Sequence, residues 1–151
     1  MPSDRRPLVL LVDNHTDNRE MYALYLRLRG FCVIACADSR IAVDLARTWL
    51  PDIILLELRM NGLNGLDVIT RLKNDPSVAN IPVVALTASV LSFEQAAAME
   101  AGFTALLAKP CLPDEVSDAI GVILAKSAAA RHARPATRTS MTGSRDQPLA
   151  M

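Results

Sequence analysis

Short runs of uninterrupted apolar residues alternate along this chain with stretches in which apolar positions recur every three or four residues. The runs fall at residues 8–12, 31–35, 53–56, 83–86 and 105–108, the type expected of parallel strands covered on both faces. Between them, Met21, Leu24, Tyr25 and Leu28 stand at i, i+3, i+4 and i+7, with Thr16 as the expected N-cap and Gly30 as the stop. Ile41, Ala42, Leu45, Ala46 and Trp49 repeat that stripe up to Pro51, and Val68, Ile69 and Leu72 make a third, closed near Asp75 and Pro76. A fourth helix opens on the capping box of Ser92 and Gln95 and stops at Gly102. The last carries Val116, Ile120, Ile123 and Leu124 and is entered through Pro113, a favoured first-turn residue. Five strands alternating with five helices predict an α/β fold, a doubly wound parallel sheet with right-handed crossovers.

Composition narrows the picture. At 151 residues, 51% of them hydrophobic, the chain suffices for one domain without disulfide or metal support. The pattern places that domain at residues 7–126. Residues 127–151 are rich in Ala, Arg, Ser and Thr, and are expected to be a disordered tail. Net charge is zero but uneven: 12 basic and 15 acidic side chains in residues 1–126 leave a net −3, and four Arg with one Asp in the tail leave +3. The domain itself is therefore not expected to bind nucleic acid. No apolar run approaches the roughly 18 residues of a membrane span, and the first residues lack a signal-peptide core, so a cytoplasmic location is expected. Cys32, Cys36 and Cys111 lack paired spacing and read as reduced packing residues. His15 and His132 stand apart from any metal cluster.

The candidate chemistry lies where strands end, because open α/β sheets place ligands at the carboxyl ends of their strands. Asp13 and Asn14 follow the first run, Glu57 ends the third, Thr87 follows the fourth and Lys109-Pro110 the fifth. Their order and spacing, with Arg19, Met60 and Gly65, resemble those of a response-regulator receiver domain over roughly residues 7–126. The resemblance implies a (βα)5 flavodoxin-like fold with strand order 2-1-3-4-5 and a role in two-component phosphorelay signalling. It also implies a phosphoacceptor at position 57, Mg²⁺ held by positions 13 and 14 with the backbone of Arg59, and phosphoryl oxygens bound by Thr87 and Lys109. Pro110 becomes a cis-proline candidate, and Leu106 takes the position of the switch aromatic.

Three departures shape the functional expectation. Glu57 replaces the aspartate of the family pattern, and its extra methylene moves the carboxylate outward by roughly 1.3 Å. Misplacement of about 1 Å costs on the order of 10²-fold in rate. Asn14 removes a charge from the metal site, so Mg²⁺ is expected to bind weakly if at all, and no cofactor is expected. Leu106 cannot swap a ring between buried and exposed positions; with Leu91 and Phe93 it reads equally as rim packing or as a partner-binding patch.

The expectation is therefore a single-domain pseudo-receiver, not an enzyme. It would not be phosphorylated at Glu57 and would act through contact with a histidine kinase, a phosphorelay protein or another signalling protein. Homodimerisation stays open. The rivals are a functional Mg²⁺-dependent phosphorelay receiver and a flavin-binding or enzymatic protein on the same sheet. The second is disfavoured by the acidic, glycine-free loop after the first strand, residues 13–17. The long carboxylate of Glu57 is also expected to reach Lys109 or Thr87 and so stabilise the pocket without metal.

Overall fold

The computed structural model describes residues 5–59, 64–87, 92–109 and 111–130, without the side chains of residues 92–95. Pro110, Leu91, Phe93 as a side chain, Met60, the capping box of Ser92 and Gln95, and the tail from residue 131 therefore lie outside the described residues.

Strands β1 (Leu8–Val12), β2 (Cys32–Cys36), β3 (Ile53–Glu57), β4 (Val83–Thr87) and β5 (Ala105–Ala108) form one parallel sheet in the order β2-β1-β3-β4-β5. Helices α1 (Thr16–Leu28), α2 (Ala42–Trp49), α3 (Gly65–Lys73) and α4 (Ser92–Ala101) connect them, with a 3-10 turn at Ser39–Ile41 before α2. Every residue of β3 and β4 is buried, as continuous apolar runs demand of central strands. The edge strands β2 and β5 are only partly covered.

The chain divides after Asp118 into two units. The first holds the sheet, α1 to α4 and the opening of helix α5, residues 113–118, which begins at the expected Pro113. The second continues the helix through residue 130, with Ile120 and Ile123 buried. The helix therefore runs past the boundary expected at 126, through an Ala-rich stretch of high helix propensity.

Strand alternation sorts the core. Leu10, Val12, Ile54, Leu56, Val83 and Ala85 pack with Val43 and Ala46 of α2, Val68, Ile69 and Leu72 of α3, and Ala98 of α4. Each large side chain so buried stabilises the fold by roughly 1.5–3 kcal/mol.

The predicted face of α1 is wrong, and that of α2 holds at Ala42, Leu45 and Ala46 but not at Ile41 and Trp49. On α1 the buried residues are Tyr22, Ala23 and Leu26, whereas Leu24 is 60% and Leu28 74% exposed and Met21 is also exposed. This helix is apolar on both sides, so two stripes compete and the one carrying Tyr22 wins. On α2, Ala42, Val43 and Ala46 are buried, while Ile41 and Trp49 are exposed. The expected cap also shifts: His15, not Thr16, is the N-cap of α1, and it makes no side-chain cap bond. Cys36 is buried as expected, but Cys32 is exposed because it opens an edge strand.

Gly30 and Gly102 take positive φ at the ends of α1 and α4, as their reading as helix stops requires. Gly65 is needed for a different reason. Its N–H donates to Leu58 O at 2.7 Å, and a Cβ there would lie 2.7 Å from Leu58 Cα. The first turn of α3 is thereby pressed against the end of β3, which carries Glu57.

Candidate functional site

Strand register brings the chemistry-bearing residues to one edge. Val12 pairs with Leu56, Glu57 with Leu86 and Thr87 with Ala108. Hydrogen bonds from Asp13 N to Cys36 O (3.0 Å), Leu58 N to Leu86 O (3.0 Å) and Lys109 N to Thr87 O (2.8 Å) carry the ladder past the strand ends. The backbone N–H groups of Asp13, Leu58 and Lys109 are thereby satisfied. Asp13 is 0%, Glu57 3% and Thr87 2% exposed.

Buried carboxylates need partners, because an unpaired buried charge is strongly disfavoured. Asp13 Oδ1 accepts the His15 backbone N–H at 2.9 Å, and Arg19 donates to the Asp13 carbonyl at 2.9 Å. Asp13 Oδ2 lies 3.7 Å from Lys109 Nζ. Glu57 Oε2 accepts the Arg59 backbone N–H at 3.3 Å, and Oε1 meets the Lys109 ammonium in a direct ion pair. The Lys109 side chain is itself largely buried. One ammonium thus serves two carboxylates, and the buried set carries a net charge of −1.

Three buried oxygens, Asp13 Oδ2, Asn14 Oδ1 and Glu57 Oε1, accept no well-directed hydrogen bond. They are hard donors of the sort a divalent cation takes. One of them, however, is a neutral amide, and the other two already face Lys109. Among the described residues no group of three His, Cys, Asp or Glu side chains is placed to hold a metal ion.

Thr87 stands at the wall of a cleft of about 240 Å³ lined also by Met99, Ala105, Leu106 and Ala108. Leu106 is half-buried and packs on the core of α2, α3 and α4. Arg59 contributes its backbone N–H to Glu57, on the same peptide stretch where the resemblance expects a carbonyl ligand.

Two contributors escape a sequence reading. Tyr22 of α1 donates its hydroxyl to Cys111 O at 2.7 Å, tying α1 to the segment after Lys109. Burial, then the charges of Cys111, Asp13 and Glu57, pushes its phenol up to about 12. Its spacing from Leu26 on the inward face was the only available signal. His15 is the other: its ring Nδ1 comes within 3.4 Å of Asp13 Oδ1. Its separation from other metal-type residues hid it, although a position two residues after a strand-end acid was a clue.

Comparison with known proteins agrees with this architecture. The family model of the response regulator receiver domain matches residues 9–121. The DNA-binding response regulator MtrA of Mycolicibacterium paratuberculosis is 32% identical over 111 residues, covering 74% of this chain and 48% of the relative. The chain thus spans about half the length of that relative. The polar-differentiation response regulator DivK of Brucella anthropi is 29% identical over 102 residues, covering 68% of this chain and 83% of DivK. Among solved structures, a response regulator from Chloroflexus aurantiacus superposes with a TM-score of 0.76 at 30% identity, covering 80% of this chain and 99% of that one. With the family model matching residues 9–121 and the strand order that places Asp13, Glu57, Thr87 and Lys109 on one edge, the chain belongs to the response regulator receiver domain family.

Proposed function

We propose that this receiver domain does not use position 57 as a phosphoacceptor and that it works in two-component signalling as an interaction module held near one state. The observation that carries this reading is the ion pair of the buried Glu57 carboxylate with Lys109. In-line phosphoryl transfer needs a carboxylate free to attack and a cation free to neutralise the equatorial oxygens. Here each occupies the other. Asp13 adds a second carboxylate to the same ammonium, and Asn14 leaves the pocket one negative charge short of what the family pattern offers a divalent cation. On this reading Mg²⁺ gains little by entering, because it would approach beside a fixed positive charge.

Receiver domains interact with histidine kinases and other signalling partners, and the family is a signalling module rather than a classical enzyme. We assign this chain partners of that kind. Among the described residues no helix is long and apolar enough to cross a membrane. MtrA binds DNA as its description states, but the match covers about half of it, so no DNA-binding role is carried over.

The test is phosphotransfer from a histidine kinase or acetyl phosphate with Mg²⁺, read by mass and peptide mapping. Glu57 is expected to stay unmodified; a phosphate mapped to Glu57 refutes the reading. A partner pull-down compared between wild type and Glu57→Ala then identifies what the fixed state recognises. The Mg²⁺-dependent phosphorelay reading draws support from one observation, the unbonded Asp13 Oδ2 and Asn14 Oδ1, and the same mapping decides between the two.

A further inference from the structure

The outward face of α1 carries an exposed apolar stripe. Met21, Leu24 and Leu28 fall within about 60° of one another around the helix, on the side opposite the buried Tyr22, Ala23 and Leu26. Their spacing, three residues and then four, is that of the seam along which two helices pair. Single surface leucines are ordinary, but a row of apolar residues on one helix face marks a contact surface.

The charges beside the stripe indicate what covers it. Glu20 and Arg27 stand on one of its edges, near opposite ends of the helix. Among the described residues Glu20 has no ion-pair partner. Arg27 donates Nη2 to Val33 O at 3.0 Å, which holds the guanidinium in place and uses one of its five donors. The other edge is closed within the molecule: Arg29 donates to the Tyr25 hydroxyl at 2.8 Å, lies over its ring and pairs with Asp118 at 3.6 Å. The edge left open therefore carries acid toward its N-terminal end and base toward its C-terminal end. Turned end for end about an axis near Leu24, this face is its own complement.

We propose that α1 is a self-association surface, on which two copies of this chain pair antiparallel about a two-fold axis near Leu24. In such an isologous contact each lateral edge of the helix faces the same edge of its mate, so Glu20 of one copy meets Arg27 of the other, twice. Leu24 packs on its counterpart, and Met21 of one copy packs beside Leu28 of the other. A helix of a different protein would need the same charge order, which a second copy supplies by symmetry. The 13-residue helix is about 20 Å long and about 10 Å wide, a footprint well below the roughly 800 Å² per partner of a stable interface, so the dimer is weak and reversible. The stripe includes neither Glu57 nor Lys109, and the inference does not rest on the function proposed above.

The test is sedimentation equilibrium of the full chain from about 10 µM to about 1 mM at low salt, where exposed charge pairs are screened least. The average mass is expected to rise with concentration toward that of a dimer, with a dissociation constant on the order of 100 µM. Leu24→Glu sets two carboxylates face to face at the axis and should leave a monomer. Glu20→Arg alone and Arg27→Glu alone should each weaken self-association by about tenfold or more, because like charges then oppose each other. An equimolar mixture of those two variants should associate, since each carries the charges that the other lacks. All three positions are exposed, and circular dichroism with denaturant titration checks that each variant is folded. A wild-type protein that stays monomeric over the whole range overturns the proposal, as does a dimer that Leu24→Glu leaves intact or a mixture no more associated than its components. A monomeric wild type whose capture of a signalling partner is lost with Leu24→Glu also overturns it, and gives the stripe to that partner.

Discussion

Glu57 and Lys109 are coupled by more than proximity, because Glu57 is buried and Lys109 largely so, and removing one leaves the other with its charge unmet. Losing one partner of a buried pair costs roughly 3–5 kcal/mol, whereas an exposed pair is worth about 0–1 kcal/mol. Lys109→Met and Glu57→Gln are each expected to destabilise the fold. The double variant should recover part of the loss, with a coupling of about 1 kcal/mol or more in denaturant titrations. Simple additivity would mean that the two charges contribute independently to stability. Tyr22 gives a separate test with pH. Its folded-state phenol is raised to about 12 from an ordinary value of 10, so the folded protein holds this proton more tightly than the unfolded chain. The associated stability is full below pH 10 and is lost as pH rises toward 12. Tyr22→Phe should lose about 1 kcal/mol at neutral pH with the hydrogen bond to Cys111, and show a shallower decline than wild type between pH 10 and 12. Parallel declines would show that Tyr22 does not titrate in this way.

At the scale of elements, the strands were readable because burial on both faces leaves an unbroken apolar signature; β1 and β5 match the expected runs, and β3 and β4 extend by one polar residue each, Glu57 and Thr87. Those extra residues belong to the site, and polar character at a strand end is what a run-based reading leaves out. The third helical stripe, Val68, Ile69 and Leu72, was readable because α3 has a single apolar face. That of α1 was not: Met21, Leu24 and Leu28 satisfy the same period as Tyr22 and Leu26, and only packing decides. The strand-end acids, Thr87 and Lys109 were legible from order and spacing. The Asp13–His15 contact was not, since spacing along the chain does not reveal how a loop turns. The junction of β3 and α3 carries its own test. With Leu58 Cα 2.7 Å from where a Cβ would stand, Gly65→Ala should destabilise by about 1–3 kcal/mol through overpacking. A neutral effect would show that α3 can move away from β3.

For the whole molecule, the question is whether the fold responds to a divalent cation. Ligand stabilisation follows RT ln(1 + [L]/Kd), so a pocket already holding its own ammonium should show almost no change in Tm with millimolar Mg²⁺. Asn14→Asp combined with Glu57→Asp should introduce a Mg²⁺-dependent rise. A shift of several degrees in the wild-type protein would show that Lys109 does not exclude the cation.

The junction at Gly65 and the Lys109 pair together constrain how such a pocket can change by single steps. Because α3 abuts the end of β3, the backbone under Glu57 cannot retreat, and the added methylene is taken up toward Lys109. Asn14→Asp alone would gather three buried carboxylates around one ammonium, while Glu57→Asp alone would shorten the arm that reaches it. Each single substitution is therefore expected to be less stable than both the wild-type protein and the double variant, an order that denaturant titrations of the four proteins would check.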